Sequence, residues 1–84
     1  MAKRERLEVI HDILTTINKS KQIRPTKLLH KSNLSPQMFK QYIEELTKKK
    51  FIIKSETEFS LTNKGKEFLT EYRTILSFID NFGL

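Results

Sequence analysis

The side chains with chemistry to offer gather between residues 27 and 54. Gln37, Lys40 and Gln41 follow the dipeptide Ser35-Pro36 at the spacing of neighbours on one helical face. Long polar side chains so placed suit hydrogen bonding to base edges. Gln37 and Gln41 can each pair bidentately with adenine, and Lys40 can donate to guanine. Met38 can touch a thymine methyl or cover the start of the helix. Lys27 and Lys31, one helical turn apart, would lie over a phosphate backbone, where charge positions a protein without reading sequence. Ser35 accepts a hydrogen bond from a free amide of the first turn, and the amides at such a helix start carry partial positive charge that holds a phosphate. Tyr42 stands at the border of the helix, able to pack inward or to donate its hydroxyl to a phosphate.

Other chemistries lack their parts. With no cysteine, disulfides, thiolate zinc sites and cysteine nucleophiles are excluded. His11 and His30 are isolated, without the spacing of metal ligands. Glu44 and Glu45 are adjacent, and adjacent helical residues do not face each other, so they form no acid/base pair. Ser35 has no neighbouring base and reads as a cap rather than a nucleophile. The expectation is therefore no catalysis, no cofactor, no metal and no small-molecule substrate.

The charge supports a polyanionic partner. The chain of 84 residues carries 16 Lys+Arg against 10 Asp+Glu, a net +6. Residues 19–50 alone hold nine cations and two acids, whereas 1–18 balance and 51–84 are slightly acidic. A positive field confined to the middle third concentrates phosphate backbones. No apolar run approaches a membrane span, and the start Met1-Ala2-Lys3-Arg4-Glu5-Arg6 has no signal-peptide core. The reading is a cytoplasmic, soluble, single domain over residues 1–84.

The elements that position these residues follow from periodicity. Leu7, Ile10, Ile13, Leu14 and Ile17 mark one face of a helix over 4–18. Gln22-Ile23-Arg24 is a short extended segment, because the residue before a proline is pushed out of helical geometry. Thr26 is expected to cap a short second helix to about Lys31, with Leu28 and Leu29 inward. Ser32-Asn33-Leu34 form a turn, with Leu34 as its apolar plug. Ser35-Pro36 start a third helix reaching about Lys49, with Phe39, Ile43 and Leu46 inward and Gln37, Lys40, Gln41 and Glu44 outward. Residues 51–54 and 59–61 are strands of a hairpin linked by Ser55-Glu56-Thr57-Glu58. Thr62 caps a last helix that Gly83 stops, and Gly65 in its first turn implies close approach to a neighbouring backbone. The fold class is mainly α with a small β-hairpin: a three-helix core, a wing sheet of two to three strands and a long C-terminal helix over 62–83. A helix-turn-helix of this spacing presents its second helix to the major groove of a duplex.

The run Leu34-Ser35-Pro36-Gln37-Met38-Phe39-Lys40-Gln41-Tyr42-Ile43-Glu44-Glu45-Leu46, then Lys50-Phe51-Ile52, then Leu61-Thr62-Asn63-Lys64-Gly65, resembles the winged helix-turn-helix signature. More narrowly, residues 7–84 resemble the small archaeal winged-helix proteins of the ten-kilodalton type. That resemblance implies double-stranded DNA as partner, a role as regulator or chromatin protein, and a dimer built on an antiparallel coiled coil of the last helices. Two departures stand out. Lys50 occupies a position where the family usually has glycine, so a left-handed backbone there would be strained. The wing tip Glu56-Thr57-Glu58 is acidic where the family carries a basic wing, leaving Lys54 as the backbone contact on that side. The alternative is a winged-helix module that binds protein.

The last helix supplies the expected dimer face. Phe68, Tyr72, Ile75, Ile79 and Phe82 step by 4, 3, 4 and 3, a heptad seam that Leu69 and Leu76 widen. The first helix should cover its N-terminal half, while Leu76, Ile79, Phe82 and Leu84 extend beyond the core. Apolar surface left wet in this way marks an interface.

Overall fold

A computed structural model describes residues 2–83, with side chains from Arg6 onward; Leu84 lies outside the described residues. Four helices and one hairpin follow in the order α1 (Ala2–Ser20), α2 (Pro25–Ser32), α3 (Pro36–Lys48), β1 (Ile52–Ser55), β2 (Glu58–Leu61) and α4 (Asn63–Asn81). The fold is mostly helical with a two-stranded antiparallel wing, a winged helix.

The core is built from one face of each element. Ile10, Ile13, Leu14 and Ile17 of α1 are buried, together with Ile23, Leu28 of α2, Phe39 and Leu46 of α3, Ile52 of β1 and Phe59 of β2. Leu7, expected inward, is 43% exposed and lies outside the buried core, which on α1 begins at Ile10. Ile43, Leu34, Leu29, Phe68 and Leu69 are half-buried around this centre.

Local chemistry sets the boundaries. α1 runs through Asn18, Lys19 and Ser20 and stops where Lys21 turns left-handed at φ 63°. Thr26 does not cap α2. Arg24 holds the extended conformation required before proline, and Pro25 opens the helix with its fixed φ, so Thr26 lies inside the first turn. The Ser35 Oγ accepts from the Met38 amide at 3.2 Å, as expected of the cap of α3. The hairpin pairs Ile52 with Leu61 through Ser55 with Glu58. β1 lies one residue further along than expected and β2 starts one residue earlier while ending at Leu61 as expected, leaving a two-residue link, Glu56-Thr57, in which Glu56 has φ 57°. The expected extended segment adds a single bridge to the sheet. The amides of Ile23 and Phe59 each donate to the other's carbonyl, at 3.0 and 2.7 Å.

The junction between α3, the wing and α4 is tight. Lys49 ends α3, and Lys50 takes φ 66°, the left-handed conformation that favours glycine. Thr62 caps α4 by accepting from the Gly65 amide at 3.1 Å. Its hydroxyl points its proton at the carbonyls of Lys50 and Phe51, 2.6 and 3.0 Å away. A Cβ on Gly65 would sit 2.3 Å from the Phe51 carbonyl oxygen, which is the close approach the glycine implied.

Candidate nucleic-acid interface

The turn between α2 and α3 is fixed by its own hydroxyl. Ser32 Oγ donates to the Leu29 carbonyl at 2.7 Å and accepts from the Leu34 amide at 3.2 Å. Asn33 takes φ 59°, a conformation that asparagine tolerates, and ends α2. Leu34 packs against the core. These contacts set the angle at which α3 leaves the body of the domain.

On α3, Phe39 and Leu46 are buried and the opposite side is bare. Gln37, Lys40, Gln41, Glu44 and Lys48 are all exposed and fall on one helical stripe, roughly 16 Å long at 1.5 Å per residue. None of these side chains has a hydrogen-bond or ion-pair partner among the described residues. Lys27 and Lys31 of α2 are likewise exposed and unpaired. Met38 is 47% exposed beside the helix start. Tyr42 is half-buried against the core, off the exposed stripe. Ser35 is exposed, with its hydroxyl engaged in the cap.

The two acids of α3 have different fates. Glu45 forms an ion pair with Arg6 of α1 and accepts from Lys49 Nζ at 2.8 Å, so it is neutralised at the flank of the helix. Glu44 has no such partner and stands on the bare stripe.

On the wing, Lys54 is exposed and its Nζ lies 6.0 Å from the centre of the Phe59 ring. Glu56 and Thr57 form the exposed tip. A cationic end that sequence reading missed lies where α3 meets α4. Lys64 Nζ donates to the Lys49 carbonyl at 2.9 Å and sits 4.8 Å from the Phe51 ring centre, beside the exposed Lys48 and Lys50. Lys48 was readable from its spacing of seven from Gln41. Lys64 was not, because it arrives through tertiary packing.

The residues expected at the dimer face divide between two environments. Phe68 and Leu69 pack on the core, and Tyr72 stacks on His11 with ring centres 4.5 Å apart. Ile75, Leu76 and Phe82 are 56, 43 and 67% exposed, and Ile79 is half-buried. Phe78, which periodicity alone had not singled out, is 57% exposed and lies 4.7 Å from the Phe82 ring centre. Among the described residues no helix is long and apolar enough to cross a membrane.

A helix-turn-helix with a bare polar face and a following hairpin is the architecture of one large class of domains. The winged helix-turn-helix family model matches residues 3–80, and the chain belongs to that family. Membership points to DNA binding in general. An uncharacterized protein of the archaeon Methanocaldococcus jannaschii is 31% identical over 77 residues, covering 92% of this chain. Those residues make up 36% of the relative, so the chain spans about a third of the length of the protein it matches.

Proposed function

We propose that this chain binds double-stranded DNA as a small transcriptional regulator or chromatin-associated protein of the cytoplasm and nucleoid, with α3 in the major groove. The observation that carries the reading is the stripe of Gln37, Lys40 and Gln41, exposed and without internal partners, flanked by the unpaired Lys27 and Lys31. Side chains left unengaged on a cationic helix face are free to exchange water for base edges and phosphate oxygens. Lys54, Ser35 and the amides of the first turn of α3 supply further backbone contacts, and Met38 an apolar one. Tyr42, packed inward, supports the helix and offers its hydroxyl at the edge.

Copies of the chain pair through α4, with Ile75, Leu76, Phe78, Ile79 and Phe82 as the shared apolar surface and Phe68, Leu69 and Tyr72 supporting it from the core side. Sedimentation at micromolar concentration is expected to give twice the monomer mass; a monomer alone would remove the dimer. Retention of random duplex in a mobility shift at low salt tests the DNA reading. The acidic wing tip favours the competing reading, a protein-binding module, and absence of any shift at tens of micromolar would overturn the DNA reading and favour a protein partner. Gln41→Ala is expected to change sequence preference, while Lys27→Ala weakens all duplexes alike; the reverse pattern would break the assignment of roles. The ratio of specific to random binding separates regulator from chromatin organiser.

A further inference from the structure

The two neighbouring acids of α3 are treated differently by the fold, and the difference has a functional reading. Glu45 is held by Arg6 and Lys49. Glu44 has Lys40 four residues before it and Lys48 four residues after, both within the reach that helical neighbours allow, yet it pairs with neither. The Glu45–Lys49 pair shows that the same spacing closes elsewhere on this helix. Gln37, Lys40, Gln41 and Glu44 stand at i, i+3, i+4 and i+7 and are all exposed. That spacing lets a helix lying in a groove present four side chains to successive base edges. A free carboxylate approaching a duplex is repelled by phosphates everywhere. It gains a bond only where a base edge donates; in the major groove the amine donors are cytosine N4 and adenine N6, and adenine sets its N7 acceptor beside the amine, which a carboxylate cannot satisfy.

We infer that Glu44 is a specificity-determining residue that accepts a hydrogen bond from cytosine N4 and disfavours other bases at that position. The inference rests on the duplex-binding reading above. Repulsion by Glu44 weakens binding to random sequence, and the cytosine contact restores it at the right site. Glutamine at this position removes the charge and matches adenine through N6 and N7.

The experiment selects bound fragments from a random duplex pool with the full wild-type chain, Glu44→Gln, Glu44→Asp and Glu45→Gln, followed by titration of single duplexes. Wild type is expected to enrich a cytosine at one fixed position and to prefer it by about 5-fold or more over the other bases. Glu44→Gln should change that position to adenine and bind random duplex several-fold more tightly. Glu44→Asp, with a shorter reach, should lose the cytosine preference without gaining adenine. Glu45→Gln should leave the selected positions unchanged. Identical selected sequences for wild type and Glu44→Gln, with duplex retained by both, would overturn the role of Glu44 and leave the DNA reading standing. Failure of wild type to retain any duplex would overturn the DNA reading and the cytosine contact with it.

Discussion

Lys50 and Gly65 sit across one junction and carry opposite demands. Lys50 holds φ 66° with a side chain, a conformation that costs L-residues about 1–2 kcal/mol. Glycine in its place removes that cost and returns part of it as unfolded-state entropy. Lys50→Gly is therefore expected to stabilise the domain by roughly 0.5–1 kcal/mol, read as a higher melting temperature. Gly65→Ala pushes a methyl to 2.3 Å from a backbone carbonyl that cannot swing aside, and should destabilise by about 2 kcal/mol or more in the same measurement. Both positions were legible in the sequence, one as a departure from the family's glycine and the other as a glycine in a first helical turn. Ser35 and Thr62 were legible for the same reason: a cap is a contact with the chain's own next turn. Thr26 misled because Pro25 had already fixed the start of α2.

At the scale of elements, α4 does two jobs along its length. Its N-terminal half packs the half-buried Phe68 and Leu69 against the core, and its C-terminal half leaves Ile75, Phe78 and Phe82 open to water. A heptad pattern runs through both halves alike, because periodicity records which side is apolar and not what covers it. The breadth and reach of the apolar stripe, from Phe68 to Phe82, was the readable sign, and Phe78 lay off the seam. Replacing Ile75 and Phe82 together with glutamate touches no core residue. The variant should keep its helical content by circular dichroism while sedimenting as a monomer. The tie between α1 and α3 is a different kind of contact. Arg6 and Glu45 are long side chains near solvent, and such pairs contribute about 1 kcal/mol at most. Arg6→Ala should lower the melting temperature only slightly and leave duplex selectivity intact. Nothing local in the sequence links residues 39 positions apart, so this pair emerges only from the packing of the two helices.

At the scale of the whole molecule, shape and charge divide the surface. The radius of gyration is 13.2 Å and the extents are 43 × 26 × 21 Å, against about 12 Å expected for a compact chain of this length. The domain is elongated, as a helix reaching beyond its core requires. Six of the nine cations of the middle third lie on α2, on α3 and at the joint with the wing, and the other three, Lys19, Lys21 and Arg24, at the end of α1 and in the link to α2. If about 4–6 phosphates are neutralised per subunit, log affinity should fall against log salt with a slope of about −4 to −5 for each subunit bound. Lys27→Ala should reduce that slope by about one. The charge asymmetry was visible in a count of residues. The gathering of Lys48, Lys50 and Lys64 at one end of α3 was not, since Lys64 belongs to another helix.

The joint where Thr62 binds the carbonyls of Lys50 and Phe51, with Gly65 close against Phe51, ties the start of α4 to the segment that follows α3. In a pair of copies meeting at their α4 tips, each long helix then works as the arm of a caliper whose jaws are the two reading helices. The opening of such an instrument is set by the joints and not by the DNA. Operators whose halves are separated by the wrong fraction of a helical turn would be refused, even with every base correct.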